Sequence, residues 1–415
     1  MKKRQGAAMP SPPVSSRKTV KGMKGGRLLK DKFRLSKRAE VTRIVFLGTS
    51  SGICTKSRNT SSVAVSLSNG RTLLFDCGEG THRQILSTKK VKLSKIRYIF
   101  ITHLHGDHVY GIFGVLTALD IGNNSQSSSR LVVIGPKGIK QLLQSVASAS
   151  ASSMLLGIRI IELPRLPASP ETKSAKTHIA IDVSSRHEPE FGHDVFLNGV
   201  DIHLEDGIVV KARRIKHVKQ LETWGYIIWE PDKPGKLKLT VAKEMGASDP
   251  ELALLKSGND LMDSNGEVRI RAKDVLTPSQ KGMHIAMLWD TYDASNAAEA
   301  CMDCSLMVHE ATYLRDIKEN ALKYGHSTAE MVGNFASKVR ARQLVLTHIS
   351  ARYQNEIDLK RLVEEAQIVG GFHEEKVLRG DEDKSSKFAM APWTPFFGNE
   401  ALCSCGVKPG EDIPR

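Results

Sequence analysis

The chain has 415 residues, of which 40% are hydrophobic and 25% are charged, and its formal net charge is +15. These values are ordinary for a folded globular protein, and no apolar run approaches the roughly 18 residues that a membrane-spanning helix needs. The N-terminus also lacks the apolar core of a secretory signal, so we expect an intracellular protein without a membrane partner.

The positive charge is concentrated at the N-terminus. Residues 1–40 contain 13 Lys or Arg residues and 2 acidic residues. Because this stretch has too few apolar side chains to bury a core, we predict a basic, disordered extension over residues 1–40. This basic extension is interpreted as a solubilising leader or as a segment for nucleic-acid contact, nuclear import or organelle targeting. The cytoplasm, the nucleus and an organelle therefore all stay open as locations of the protein.

The six cysteines do not form a disulfide pattern. With no signal peptide and no regular spacing, a reducing compartment is favoured. Cys301 and Cys304 have CxxC spacing, but the sequence has no second CxxC to complete a zinc site. We therefore predict that they are buried structural thiols.

Strands and helices are predicted to mix along the chain from about Val41 onward. The early part predicts a strand at 43–48, a hairpin of 62–68 and 71–75 around Asn69-Gly70, and a strand at 96–102. Strands are further predicted at 131–134, 208–215, 225–229, 284–289, 306–309 and 344–348. Helices are predicted at 111–119, from 135–138 into 145–153, at 293–302 and at 327–339. This order favours layers of sheet covered by helices.

The polarity of the chain also suggests its boundaries. We predict one main domain over residues 41–370, with a polar surface insertion at about 163–198. The pattern of apolar residues decays near Phe372, so residues 371–415 are predicted to be a C-terminal tail that docks or stays loose.

The strongest chemical signal is the sequence His103-Leu-His105-Gly-Asp107-His108, which directly follows a predicted strand. Imidazole nitrogens and carboxylate oxygens are ligands that suit zinc. Gly106 lets the backbone turn tightly enough for both flanks to converge. The cluster therefore predicts a metal site at a strand-to-helix turn.

Three more candidate ligands lie at the ends of predicted strands: His217, Asp290 and His348. Ligands gather at such positions when loops build a site on a rigid sheet. A single histidine at a strand end is usually only a polar loop residue. Three such residues beside an intact histidine cluster instead indicate a second metal.

These residues and their neighbours resemble a known family. The cluster His103–His108 is similar to the signature of the metallo-β-lactamase superfamily. Other segments resemble its tRNase Z (ribonuclease Z) branch in its short form, and they occur in the same order: Phe46–Thr49, Arg58–Ser62, Phe75–Gly80, Val109–Gly111, His309–Thr312, His326–Thr328 and Thr347–Tyr353.

The resemblance implies an αββα four-layer sandwich of the metallo-β-lactamase fold, with a protruding RNA-binding arm at about residues 231–265. One zinc ion would take His103, His105 and His217, and a second would take Asp107, His108 and His348. Asp290 would bridge the two. Asp107 would also act as a proton acceptor, and His326, oriented by Glu310, as the proton donor. The implied substrate-binding residues are Arg58, Thr312, Ser327 and Lys281.

The implied activity is removal of the 3′ trailer from precursor tRNA. A hydroxide would attack the phosphodiester and leave a 3′-hydroxyl on the tRNA. The resemblance also implies a homodimer. In three places the sequence departs from the family's usual pattern: Cys54 replaces a proline, Trp289 replaces a glycine before Asp290, and Asp249-Pro250 replaces a Gly-Pro turn in the arm.

Two alternatives stay open at this point. The same fold and metal site serve hydrolases of small thioesters or phosphodiesters, although these lack the loops His309–Thr312 and His326–Thr328. A metal-bound but inactive RNA-binding or scaffolding protein is the other alternative. Against it, none of the seven candidate ligands is missing, and the pair His326 and Glu310 is present.

Overall fold

A computed structural model describes residues 39–122, 131–152, 157–164, 193–196, 199–204, 206–233, 235–371, 377–379 and 385–386. The predicted N-terminal extension lies almost entirely outside the described residues, as do most of the predicted insertion and most of the predicted tail, with Cys403 and Cys405. Among the described helices, none is long and apolar enough to cross a membrane.

The strands of the described residues are, in chain order, β1 Val41–Gly48, β2 Ser50–Ser51, β3 Ser62–Leu67, β4 Thr72–Phe75, β5 Ile96–Phe100, β6 Val132–Gly135, β7 Arg159–Glu162, β8 His193–Phe196, β9 Gly199–His203, β10 Val209–Ile215, β11 Thr223–Trp229, β12 Leu261–Met262, β13 Val268–Ile270, β14 His284–Leu288, β15 Leu306–Glu310, β16 Leu344–Thr347, β17 Ile349–Ser350, β18 Val377–Arg379 and β19 Ser385–Ser386.

The helices are α1 Thr81–Ser87, α2 Gly106–Val109, α3 Ile112–Gly122, α4 Ile139–Ala149, α5 Leu239–Glu244, α6 Asp249–Lys256, α7 Ala272–Val275, α8 Ala298–Cys301, α9 Lys318–Lys323, α10 Ala329–Lys338 and α11 Glu356–Gly370. Short 3₁₀ helices lie at Leu93–Lys95, Ser295–Ala297 and Arg315–Ile317.

Two large mixed sheets form the body of the fold. The first has the strand order β19-β1-β3-β4-β5-β6-β7, and the second has the order β18-β16-β15-β14-β11-β10-β9-β8. In the first sheet β4, β5, β6 and β7 run parallel, and in the second β14, β15, β16 and β18 run parallel. The carboxyl ends of neighbouring parallel strands therefore meet at one edge of each sheet, where loops can build a site.

Three apolar clusters show how the layers stack. One cluster joins the inner faces of the two sheets, with members such as Val63 and Phe100 from the first sheet and Val210 and Met287 from the second. The two others lie between a sheet and its covering helices, around α3 and α4 on one side and around α10 and α11 on the other. This is the predicted four-layer αββα arrangement, since each sheet buries both faces.

Most predicted elements are present with shifts of one or two residues at their ends. The predicted hairpin is formed by β3 and β4, which pair antiparallel around Asn69-Gly70. Gly70 has a φ of 81°, a conformation that glycine adopts without the strain of a side chain. The predicted helix at 293–302 is shorter. The carbonyl of Asp293 accepts a hydrogen bond from the Lys216 N–H, and the helical turns begin at Ser295.

Three strands lie within ranges that were predicted to be insertion or tail. β8, from the predicted insertion, pairs antiparallel with β9 at the edge of the second sheet. β18 and β19, from the predicted tail, pair with β16 and β1 and so extend both sheets. All three are very short, so their sequences carried too little periodicity to be identified as strands.

The segment between β11 and β14 forms a small unit with its own core. It contains α5, α6, α7 and the β12–β13 hairpin, which bury a cluster that includes Ala242, Leu255, Ile270 and Val275. It therefore extends beyond the predicted arm boundary at residue 265. The Asp249-Pro250 pair begins α6 rather than forming a turn, because Ser248 and Glu251 cap the helix reciprocally.

An aromatic layer lies between the two sheets directly beneath the strand ends. The Phe75 ring stacks on that of Phe100, with centroids 4.9 Å apart, and on that of Trp289, at 6.4 Å. The Tyr226 hydroxyl donates a hydrogen bond of 2.7 Å to the carbonyl of Ile101. Trp289, the bulky residue before Asp290, is thus fully buried core. Cys301 and Cys304 are buried free thiols, as predicted.

Candidate metal centre

The histidine cluster lies in the turn between β5 and α2. His103 follows the buried strand by three residues, and Asp107 and His108 lie within the short helix α2. His103 and His108 are fully buried, whereas His105 is partly exposed. A strand that runs into a tight helical turn thus directs the four polar side chains toward one place.

The first ligand group consists of His103, His105 and His217. Nε2 of His103 lies 2.9 Å from Nδ1 of His105, and Nε2 of His217 lies 3.2 Å from the same nitrogen. His217 comes from the loop after β10, in the other sheet. The three nitrogens and Asp290 offer ligand atoms within 4.8 Å of one another.

The second ligand group consists of Asp107, His108 and His348. Nε2 of His348 lies 3.2 Å from Nε2 of His108 and 3.3 Å from Oδ2 of Asp107. His348 directly follows β16 and has a φ of 54°, which a histidine rarely adopts and which turns its side chain into the site. Both groups therefore combine residues from the edges of both sheets.

Asp290 lies between the two groups. Its Oδ1 atom is 3.1 Å from Nε2 of both His108 and His348. Its Oδ2 atom is 3.5 Å from Nε2 of His103 and 3.7 Å from Nε2 of His217. Each carboxylate oxygen thus faces one ligand group, which is the arrangement that a bridging ligand requires.

The ring of each buried histidine is held by a partner on its far side. Nδ1 of His103 lies 3.0 Å from Oγ1 of Thr102, and Nδ1 of His348 lies 3.0 Å from Oγ1 of Thr312. Nδ1 of His217 lies 2.7 Å from the carbonyl of Gly325. Such contacts fix the orientation of a ligand ring and leave Nε2 to face the metal. Gly325 has a φ of 77°, and a side chain there would collide with the His217 ring.

Asp76 also belongs to the candidate site, although the sequence patterns did not single it out. It is fully buried, and its Oδ2 atom lies 2.7 Å from Nδ1 of His108 and 2.9 Å from Oγ1 of Thr102. It directly follows β4, with a φ of 55°. A carboxylate at a strand end was the signal that identified Asp290. The same signal was available for Asp76, because β4 neighbours β5.

His326 and Glu310 are adjacent, as the resemblance implied. Nδ1 of His326 lies 3.2 Å from Oε1 of Glu310 and 3.9 Å from Oδ2 of Asp290. Glu310 is fully buried and accepts hydrogen bonds from the backbone N–H groups of Thr291, Ser327 and Thr312, each at 3.0 Å. A carboxylate held in this way keeps the neighbouring imidazole in one orientation.

The electrostatics of the site favour cations. Burial opposes the charge on His108, but the carboxylates of Asp290 and Asp107 hold its pKa well above its usual range. Burial also opposes the charge on His326, but Glu310 raises its pKa to about 9. Burial lowers the pKa of His103 to about 3, so this ring keeps a free lone pair.

The donor set fits metal ions. Imidazole nitrogens and carboxylate oxygens are ligands typical of zinc and similar metals. The buried Oδ1 atom of Asp290 accepts no well-oriented hydrogen bond from the described residues, although Nε2 of His108 and Nε2 of His348 each lie 3.1 Å away, so this oxygen is open to a cation. The seven predicted ligands thus lie together in two adjacent groups that could hold metal ions.

The four predicted substrate-binding residues are placed differently. Nη2 of Arg58 donates to the carbonyl of Tyr353 at 2.7 Å, so part of its guanidinium joins two loops. Thr312 and Ser327 are almost fully buried and bond to Glu310, which makes them supports of the site rather than a surface for substrate.

Lys281 is not brought to the metal centre. It precedes β14, whereas Asp290 follows this strand. Five residues of strand span about 16 Å, so Lys281 lies at the opposite end of the sheet. A contact between Lys281 and substrate would have to lie far from the metal ligands.

Comparison with known proteins agrees with this geometry. A family model described as the anti-Pycsar protein Apyc1 matches residues 42–146. Among solved structures, human tRNase Z, short form (ELAC1), has a TM-score of 0.55 at 23% identity and covers 84% of this chain and 100% of that chain. The metallo-β-lactamase fold protein YhfI from Bacillus subtilis has a TM-score of 0.52 at 13% identity and covers 84% of this chain and 99% of that chain. Both show the metallo-β-lactamase fold.

Sequence relatives are more similar. The chain is 35% identical over 320 residues to the ribonuclease Z of Bacillus subtilis (strain 168), a match that covers 76% of this chain and 91% of the relative. It is 35% identical over 329 residues to the ribonuclease Z of Bacillus velezensis, a match that covers 79% of this chain and 94% of the relative. At this identity and coverage, the chain belongs to the ribonuclease Z family.

Proposed function

We propose that this protein is a zinc-dependent endoribonuclease that removes the 3′ trailer from precursor tRNA. The observation that carries the proposal is the position of Asp290, with one oxygen toward each ligand group, in a chain of the ribonuclease Z family. No feature of the described site favours a small thioester or a small phosphodiester as the natural substrate over RNA.

The proposed cofactor is a pair of zinc ions. His103, His105 and His217 would hold one, Asp107, His108 and His348 the other, and Asp290 would bridge them. When bound, such a pair lowers the pKa of a water molecule and stabilises negative charge on the phosphate oxygens. The two ligand groups and the buried Asp290 oxygen support two ions per chain.

Two side chains of the protein would carry out the proton transfers of the reaction. Asp107 would accept a proton from the attacking water. Its Oδ2 atom already accepts a hydrogen bond of 2.7 Å from the Gly52 N–H, which fixes the carboxylate. Hydrolysis breaks the bond between phosphorus and the 3′-oxygen of the tRNA. His326, whose pKa Glu310 raises to about 9, carries a proton that it would give to this oxygen.

We also propose an oligomeric state for the protein and a mode of tRNA recognition. A homodimer is the oligomeric state that the resemblance implies, and light scattering of the purified protein tests it. The protein would act inside the cell, where precursor tRNA is found. Recognition would rest on tRNA shape and phosphate contacts, so binding should weaken as salt concentration rises.

The experiment that tests the function offers the purified, zinc-loaded protein three substrates: a precursor tRNA with a 3′ trailer, a small phosphodiester and a small thioester. We expect efficient cleavage of the precursor tRNA and weak cleavage of the small phosphodiester. Rapid hydrolysis of the thioester with an intact precursor tRNA would instead identify a small-molecule hydrolase.

A further inference from the structure

Two large apolar side chains next to the metal centre are exposed to solvent. Tyr110 is 62% exposed and Ile53 is 65% exposed. Exposure of single apolar residues is common and by itself says nothing. What distinguishes this pair is that both lie beside Asp107, a proposed ligand and proton acceptor.

Tyr110 shares a helix face with Asp107. It caps the C-terminus of α2 with a helical backbone, at φ −67° and ψ −23°. Residues three positions apart on a helix have Cβ atoms about 5–6 Å apart. The Cβ atoms of Tyr110 and Asp107 are therefore neighbours on the surface of this helical turn.

The ring of Tyr110 rests on the backbone of Gly106. A Cβ atom added at Gly106 would lie 2.3 Å from Cε2 and 2.7 Å from Cδ2 and Cζ of the ring. Only a glycine leaves room for the ring at this place. The ring is thus supported by the ligand-bearing turn itself while more than half of the side chain stays open to solvent.

Ile53 approaches Asp107 from another loop. The preceding residue, Gly52, donates its N–H to Oδ2 of Asp107 at 2.7 Å. The Ser50 hydroxyl donates to the carbonyl of Ile53 at 2.7 Å, and the Ile53 N–H donates to the carbonyl of Ser51 at 2.8 Å. These bonds fix the backbone at Ile53, one residue from the N–H group that contacts Asp107, while the Ile53 side chain stays exposed.

We propose that Tyr110 and Ile53 together bind the nucleobase of a nucleotide that flanks the cleaved phosphate. This inference rests on the proposed function, because it assumes an RNA substrate. Every nucleobase has an apolar face that stacks on an aromatic ring, so such a contact positions RNA without reading its sequence. A protein partner seated on these two side chains would cover the metal centre, which makes RNA the better occupant.

The contact would act on binding and positioning and not on the chemistry. An unpaired base at the junction of tRNA and trailer can leave its stack and lie on the Tyr110 ring. The phosphate attached to it would then be held next to Asp107. Base stacking on an aromatic side chain contributes about 1–3 kcal/mol, which corresponds to about a 5- to 150-fold change in kcat/KM.

The first test compares Tyr110→Ala, Tyr110→Phe and Ile53→Ser with the intact protein on two substrates. With precursor tRNA, we expect kcat/KM to fall about 5- to 150-fold for Tyr110→Ala, to fall less for Ile53→Ser and to stay near normal for Tyr110→Phe. With a small phosphodiester that has no nucleobase, all variants should match the intact protein. Ile368→Ala serves as a control, because Ile368 is 76% exposed on the outer helix α11.

The second test is a double-mutant cycle in which an abasic nucleotide replaces the base on either side of the cleaved phosphate. If Tyr110 stacks on one of these bases, Tyr110→Ala should cost little further activity once that base is absent. The proposal would be overturned if Tyr110→Ala lost equal activity on all RNA substrates and on the small phosphodiester. It would also be overturned if the losses from Tyr110→Ala and from base removal were fully additive on both sides of the cleaved phosphate.

If Tyr110→Ala cleaves precursor tRNA normally, the stacking proposal fails while the proposed function stands. If the intact protein does not cleave precursor tRNA, the proposed function itself fails.

Discussion

Nδ1 of His326 lies 3.2 Å from Oε1 of Glu310, and this buried carboxylate is held by three backbone N–H groups besides. The pair therefore forms a rigid unit at the rim of the metal centre. Nδ1 of His326 lies 3.9 Å from Oδ2 of Asp290, and His326 also offers a ligand atom within 4.8 Å of those of Asp290 and His348. Because Glu310 engages Nδ1 of His326, we propose that His326 donates a proton and does not bind metal.

The first prediction concerns that distinction. His326→Ala should lower kcat on precursor tRNA by about 10²- to 10⁴-fold, the usual contribution of a proton donor, while metal content stays unchanged. Steady-state kinetics and elemental analysis measure the two quantities. His284→Ala is the matched control, because His284 lies at the start of β14, away from Asp290. Loss of metal from His326→Ala would make His326 a ligand instead.

The second prediction concerns Asp76. Asp76→Asn should weaken metal binding by about 10- to 100-fold, because His108 loses the carboxylate that orients its ring. Titration of the metal-free protein against a chromophoric chelator measures this affinity. Asp303→Asn, which alters an exposed pair with Arg340, should bind metal normally. Unchanged affinity in Asp76→Asn would show that the turn alone orients His108.

The sequence predicted most of the fold because its strongest signals are local. The buried strands β1, β5 and β15 each contain a short apolar run, and the turn at Asn69-Gly70 has the residue types that a tight hairpin requires. The edge strands β8, β18 and β19 could not be predicted, because two to four residues paired at a sheet edge depend on contacts with distant segments.

The residues of the candidate site could also be predicted where their signals are local. Ligands such as His217 and His348 were identified because each is a strong metal ligand at the end of a predicted strand. The buried places of Thr312 and Ser327 could not be predicted, since a hydroxyl in a loop suits a substrate contact as well as a support for Glu310. The distance of Lys281 from the site could not be predicted either. It depends on the direction in which β14 runs relative to the site, and this direction follows only from the order of strands in the sheet.

The third prediction concerns metal removal. Three carboxylates surround His108, those of Asp107, Asp290 and Asp76. Bound metal ions would balance their negative charge. Chelation should therefore lower the Tm, and stoichiometric zinc should restore it, since a ligand that binds the folded state alone at 100 times its Kd stabilises by about 2.7 kcal/mol. Differential scanning calorimetry measures the shift. An identical Tm with and without chelator, in protein whose metal loss is verified, would argue against a resident metal.

The fourth prediction concerns the aromatic layer beneath the metal centre. Trp289→Ala should destabilise the fold by about 3–5 kcal/mol, because it leaves a cavity against Phe75 between the sheets. Denaturant unfolding of the zinc-loaded protein measures the change. Trp289→Phe should retain most of the stability, because an aromatic ring can still stack there. A loss below about 1 kcal/mol for Trp289→Ala would mean that the sheets close over the gap.

The most direct test of the central claim is end-group analysis of the products formed from a precursor tRNA. We predict one cut just after the discriminator nucleotide, with a 3′-hydroxyl on the tRNA and a 5′-phosphate on the trailer. This polarity follows if water attacks phosphorus and His326 protonates the departing 3′-oxygen. A 2′,3′-cyclic phosphate on the tRNA fragment, or an uncleaved precursor after incubation with zinc-loaded protein, would contradict the account.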